Sequence, residues 1–242
     1  PPRPPRPSPD APAVSPSPDG AAPDLLRQRD FLLFVASRGA SVTSAQMLTV
    51  AVGWSIYLRT GDPFDLALVG LFRFLPVLLL FLWAGMAADR FDRPRIVGLS
   101  NAAQALSAIL IGLILVSGAP AVWPVFLLLA LHGAAQAFLQ PAQQAMLPGL
   151  VPRPLWPRAV AVTTSVIKGG QLGGPALAGV LIALAEDWTF FVIAGLSVAA
   201  TAAAAPIRAA PGREPAGERG AGQLLAGFRH IRRTPIVLGA IT

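Results

Sequence analysis

Beyond residue 30 the chain alternates long apolar runs with short polar breaks. The runs cover residues 31–58, 66–88, 96–117, 122–147, 159–185 and 188–207. Each can cross a bilayer as a helix, since about 20 residues at about 1.5 Å per residue match a hydrocarbon core about 30 Å thick. Charged residues gather in the breaks instead of forming the one-sided stripe of a soluble amphipathic helix. The pattern predicts an all-α membrane protein whose residues 30–207 form six transmembrane helices, here spans one to six. Short connections force neighbouring spans to run antiparallel.

The flanks differ in kind. Pro1 to Pro23 hold ten prolines among Ser, Asp and Ala, a mixture that cannot build a helix or a core and lacks the apolar stretch of a signal peptide. Residues 1–29 are therefore expected to be a disordered cytoplasmic tail without a role of its own. Residues 208–235 read as a Pro-, Gly- and Arg-rich loop with an amphipathic piece from Leu224 to Arg233. A new apolar run follows at residues 236–242 and is too short to span a membrane. The expectation is a fragment of a longer protein, cut as its seventh helix begins.

Composition agrees: 54% of residues are apolar and 13% charged. A net charge of +7 on a soluble domain would suggest nucleic acid. Here the basic residues fall on alternate sides of the spans, so they read as topology signals and nucleic acid is not an expected partner. Arg90, Arg93, Arg95, Arg153, Arg158 and the cluster from Arg208 share one side with Arg27 and Arg29; the other side has Arg59, Glu186 and Asp187. The rule that cytoplasmic loops are basic predicts a multi-pass protein of the inner membrane with its N-terminus in the cytoplasm. Cysteine is absent and no His or carboxylate cluster has ligand spacing, so neither metal nor other cofactor is expected.

A charged side chain at mid-membrane costs roughly 2.5 to 3.5 kcal/mol, so each one inside a span calls for a reason. Arg38 in span one and Lys168 in span five both fall near the midplane, and His132 lies at comparable depth in span four. His132 shares a helix face with Gln136 and Gln140, and Arg38, Ser41 and Thr49 form a polar stripe on span one. Arg73, in the outer half of span two, is expected to snorkel or to pair with Asp62 or Asp65. No Asp or Glu lies inside a span.

Between spans two and three the chain reads Gly85-Met-Ala-Ala-Asp89-Arg90-Phe91-Asp92-Arg93-Pro94-Arg95. An Asp at the C-terminal end of a helix opposes the helix dipole and needs a compensating partner. The segment resembles the signature loop of the major facilitator superfamily. Asp92 stands where that family often has Gly and is expected to accept a left-handed turn; Pro94 is a second departure. Span five carries Gly170-Gln-Leu-Gly173-Gly174-Pro175-Ala-Leu-Ala178-Gly179, similar to the family's antiporter motif. Arg38 to Ser41, Pro141-Ala142 and residues 227–235 add to a likeness to the efflux branch that includes the enterobactin exporter and macrolide efflux proteins.

The resemblance implies one six-helix half of a twelve-helix fold, built as 3+3 inverted repeats around a central site. It makes Gly85, Asp89, Arg90 and Arg93 a cytoplasmic gating motif and Gly170, Gly174, Pro175 and Gly179 a helix-packing motif. The family's cavity is lined by spans one, four and five. On that basis Arg38, Ser41, Thr49, His132, Gln136 and Lys168 are the candidate substrate contacts. Their alternatives are structural: carbonyl or inter-half pairing for Arg38 and Lys168, and hydrogen bonds between helices for His132 and the glutamines. The implied function is secondary active export of a small, siderophore-like or drug-like and possibly anionic molecule, with a proton as coupling ion. Membrane lipid and the missing six-helix half are the other partners. An importer of the same fold and a non-transporting scaffold are the competing readings. An enzyme is not expected, because no nucleophile and base share a depth.

Overall fold

The computed structural model describes residues 28–118 and 121–207, except the side chains of Glu186 and Asp187. The expected Pro-rich tail, the loop at 208–235 and the start of a seventh helix lie outside the described residues.

Local sequence accounts for most helix ends. Helix α1 (Arg29–Thr60) stops at Gly61, whose φ of 65° is cheap only for glycine and whose N–H bonds the Tyr57 carbonyl. Asp62 then caps α2 (Pro63–Arg90), accepting a 2.8 Å hydrogen bond from the Phe64 N–H, with Pro63 at the first helical position. Two residues later α3 (Arg93–Val116) begins. Asp92 precedes it at φ −62° and ψ 113°, and no residue other than glycine has positive φ among those described. The expected left-handed turn at Asp92 is therefore corrected: an extended residue followed by Pro94 in the first turn starts the helix without it.

Helix α4 (Trp123–Leu150) leads through a 3₁₀ turn at Arg153–Leu155 into α5 (Trp156–Ala204). The Trp156 indole N–H holds that turn by donating to the Val151 carbonyl at 2.9 Å. Spans five and six both belong to α5, which breaks at Ala185, where φ is −161° and ψ 71°. Partners show that the chain reverses there. Gly39, Thr43 and Gln46 of α1 meet Val166, Gly170 and Gly174 in the same order, so the first limb runs parallel to α1. Ser37 and Ser44 meet Ala200 and Ser197 in opposite order, so the second limb, Trp188–Ala204, runs antiparallel to it.

The principal pairings are α1 with both limbs of α5, α2 with α4, α3 with α4, and α3 with the second limb of α5. Exchanging helix one for four, two for five and three for six maps this set onto itself, as an inverted repeat requires. Four described helices combine the length and hydropathy to cross a bilayer: α2, α3, α4 and the limb Arg153–Ala185. Helix α1 is 32 residues long but more polar, with Ser37, Ser41, Ser44 and Ser55 buried in the bundle. The limb Trp188–Ala204 is apolar and shorter, about 25 Å.

Met47, Leu48, Ile56, Ile111, Leu129 and Ile193 form part of the central apolar core, and Phe34, Val97, Leu139, Met146 and Ala204 part of a second cluster nearer the α2–α3 loop. Between membrane helices close fit replaces the hydrophobic driving force, so small residues set the approach. A Cβ on Gly133 would strike the Arg73 backbone carbonyl, and one on Gly112 would come within 2.7 Å of Phe190 Cβ. In contrast, few residues of α2 or of the first limb of α5 are fully buried. Phe74, Leu78, Leu79, Phe81 and Trp83 are all more than half exposed.

Candidate substrate face and polar core

The six candidate substrate contacts divide into two sets. Arg38 and Thr49 are eleven residues apart on α1, about three turns, and so share a face; Val42, one turn after Arg38 on that side, lies beside Gly170 of α5. Arg38 is half-buried, with its guanidinium carbon 5.9 Å from the centre of the Phe34 ring one turn earlier, a cation–π contact that leaves the hydrogen-bond donors available. Thr49 is exposed and donates to the Ala45 carbonyl at 2.8 Å. Lys168 is also exposed; its Nζ donates to Gln171 Oε1 at 3.1 Å. It projects from the side of α5 opposite the glycines that meet α1. No contact joins Lys168 to Arg38.

Ser41, His132 and Gln136 turn toward α3 instead. Ser41 Oγ, 2% exposed, lies 2.8 Å from Asn101 Oδ1 and donates to it. Gln104 Nε2 donates to Gln136 Oε1 at 2.7 Å. His132, 1% exposed, has its Nδ1 3.2 Å from Ser107 Oγ. For His132 and Gln136 these are the interhelical hydrogen bonds that stood as the alternative to substrate contact. The face drawn through His132, Gln136 and Gln140 is a gradient, from buried through half-buried to exposed.

Further polar groups extend this core. Ser37 Oγ donates to the Ala200 carbonyl at 2.8 Å, and Ser197 Oγ donates to Ser44 Oγ at 3.1 Å. Among the described residues four buried side-chain atoms have no protein partner: Asn101 Nδ2, Gln104 Oε1, His132 Nε2 and Gln143 Nε2. An unsatisfied buried polar group costs about 1 to 3 kcal/mol, so four of them exceed what apolar packing alone would select. Sequence reasoning missed Asn101, Gln104 and Ser107. The signal was present: together with Ser100 they recur every three or four residues along one face of an otherwise apolar run. A search confined to charged side chains passes over it.

At the α2–α3 loop, Asp89 and Arg90 are exposed at the C-terminal end of α2. Arg93 reaches back and across: Nε donates to the Ala88 carbonyl at 3.5 Å and Nη1 to the Ala145 carbonyl of α4 at 2.8 Å. A cation at the carbonyl ends of two helices is well placed against their dipoles. Arg95 and Asp92 form an exposed pair at 3.3 Å. A Cβ at Gly85 would meet nothing within 4 Å. In the span-five motif, Gly170 and Gly174 pack against Thr43 and Gln46 of α1, Pro175 lies within the helix, and Gly179 meets nothing.

Of the two expectations for Arg73, snorkelling or an ion pair, the ion pair is corrected. Arg73 makes no ion pair with Asp62 or Asp65, because Asp62 is engaged as the α2 cap and the Arg73 backbone is pressed against Gly133, next to His132. At the other end of the bundle Arg59 donates to the Leu115 carbonyl, tying α1 to α3.

The folded order of helices, the loop motif and the glycine contacts point one way, and a family model described as Major Facilitator Superfamily matches residues 32–242. The chain belongs to the major facilitator superfamily. Among curated relatives it is similar to an uncharacterised MFS-type transporter, YfiS, of Bacillus subtilis, 33% identical over 71% of this chain and 40% of that protein. It is 29% identical to the staphyloferrin A transporter of Staphylococcus aureus over 59% of this chain and 36% of that one. With the multidrug efflux pump Tap of Mycolicibacterium fortuitum it shares 32% identity over 68% of this chain and 41% of that one. This member of the superfamily spans about two fifths of the length of the relatives it matches.

Proposed function

We propose that this chain supplies one half of a secondary transporter that exports a small anionic or polyphenolic molecule by alternating access, driven by the proton gradient. The observation that carries the reading is the half-buried Arg38 guanidinium, which among the described residues is held by a cation–π contact alone and shares a side of α1 with the exposed Thr49. A cation at mid-membrane attracts anions strongly, because its field is only weakly screened there. The described carboxylates on the helices sit at helix ends, Asp30, Asp62, Asp65, Asp89 and Asp92. The interior charges are therefore Arg38, Arg73 and Lys168. The relatives named for staphyloferrin A transport and for multidrug efflux support a small-molecule cargo.

In this reading Arg38 and Thr49 contact substrate, and Lys168 sits where the second half or the substrate covers it. Ser41, His132 and Gln136 act from behind by holding α1 and α4 on α3. Gly85, Asp89, Arg90 and Arg93 form the cytoplasmic gate, and Gly170, Gly174 and Pro175 let α5 lie close on α1. The protein sits in the inner membrane with its N-terminus in the cytoplasm, among lipid and against a second six-helix half.

The test is uptake into inverted vesicles containing the full-length protein, comparing a catecholate anion with a lipophilic cation, with and without a protonophore. Protonophore-sensitive anion uptake, lost in Arg38→Gln, is the expected result. Uptake of the cation alone would overturn the substrate class, and uptake only in right-side-out vesicles would make the protein an importer.

A further inference from the structure

Among the described residues, four buried polar atoms lack a protein partner, two on α3 and two on α4, on residues at most 4% exposed. Turning the amides end for end does not relieve Asn101 or Gln104. Each already uses its other end, for Ser41 and Gln136 respectively, and would bare that end instead.

Their spacing is regular. Gln104 meets Gln136 and Ser107 meets His132, an antiparallel register that sets Asn101 level with Leu139 and Gln143 level with Val97. Val97, Leu139 and Met146 pack in one cluster, as that register requires. From Gln143 through Asn101 and Gln104 to His132, successive groups are thus three or four residues apart, a rise of about 4.5 to 6 Å. One water making two hydrogen bonds of about 2.8 Å bridges such a gap. The chemistry is complementary: Gln143 Nε2 and Asn101 Nδ2 donate and Gln104 Oε1 accepts, and because Ser107 gives its hydroxyl proton to the Gln104 backbone carbonyl at 2.8 Å, neutral His132 donates from Nδ1 to Ser107 and accepts at Nε2.

We propose that a file of bound water runs along the α3–α4 seam from Gln143 to His132, giving the imidazole a route for proton exchange separate from the Arg38 and Thr49 side of α1. The entrance lies at the α2–α3 loop. Arg93 there binds the Ala145 carbonyl, two residues from Gln143. Around the inner end, α2 contributes the cation Arg73, α3 the neutral Ser107, and α4 carries no charged residue. Polar groups with two or more hydrogen-bonding directions and no protein partner are what hold internal water in folded proteins. The proposal depends on the bundle and not on the cargo, so it survives if the protein proves to move something other than an anion.

Radiolytic hydroxyl-radical footprinting of the full-length protein in nanodiscs reads it directly, because bound water converts to radicals where it sits. His132 is expected to be modified with a protection factor several-fold lower than that of Phe126, a buried residue two turns away in the dry core. Replacing Gln143→Leu or Asn101→Leu is expected to slow modification of His132 several-fold and leave Phe126 unchanged. Protection of His132 equal to that of Phe126 would mean a dry seam and overturn the proposal, even if neither variant folds. Rapid modification of His132 that neither substitution alters would also overturn it, since water would then arrive by another route.

Discussion

Ser107 Oγ on α3 and His132 Nδ1 on α4 lie 3.2 Å apart, and both side chains are buried inside the six-helix unit. An imidazole held this way orients α4 on α3 and is screened from the Arg38 and Thr49 side of α1. Transport and stability should therefore respond to different residues.

At the Gln104–Gln136 hydrogen bond, Gln136→Leu leaves the Gln104 amide with no protein partner at either end. The expected loss is about 1 to 3 kcal/mol, with much of it recovered in the double variant Gln104→Leu, Gln136→Leu, because a matched apolar pair has nothing left unsatisfied. A double-mutant cycle of unfolding in detergent measures the coupling.

Backbone proximity makes Gly133 a different case from Gly85. Gly133→Ala pushes a Cβ into the Arg73 carbonyl, so α2 and α4 must separate; the expected cost is about 1 to 3 kcal/mol. Gly85→Ala and Gly179→Ala meet open space in this unit and should leave its thermal stability unchanged. Fluorescence-detected size exclusion after heating distinguishes them.

Arg93 and Arg95, two residues apart in the loop motif, should differ sharply. Arg93→Ala removes charged hydrogen bonds to the Ala88 and Ala145 carbonyls and should lower stability by about 1 to 2 kcal/mol. Arg95→Ala removes only an exposed ion pair and should cost about 0 to 1 kcal/mol. Parallel denaturation curves of the two variants check the order.

For Arg38 the split runs the other way. Arg38→Gln should abolish anion flux in vesicles with little change in melting temperature, whereas Ser41→Ala, behind the same helix, should alter melting and leave substrate selectivity intact. Flux and melting measured on the same preparations settle whether the Arg38 side of α1 and the polar core are separate functions.

The apolar runs placed the helices to within a few residues. Membrane thickness sets helix length and punishes interior charge, and both constraints act on the chain locally. The loop motif and the span-five glycines pointed to the family for the same reason, as short contiguous segments. The break between spans five and six was also foreseeable, though not that it would reside in one residue's backbone, Ala185.

Facing was another matter. Periodicity put Ser41 near Arg38 and grouped His132 with Gln136, but a helix that is apolar on most sides gives no local sign of which side meets lipid, which a neighbour and which the other half. Only the packed bundle sent Ser41, His132 and Gln136 to α3, left Arg38 half-buried and Thr49 exposed, drew Arg73 against Gly133, and buried Asn101 and Gln104 on α3 and His132 and Gln143 on α4. Those outcomes depend on how closely backbones approach, as at Gly133 and Gly174, and that closeness belongs to pairs of helices, not to either sequence segment alone.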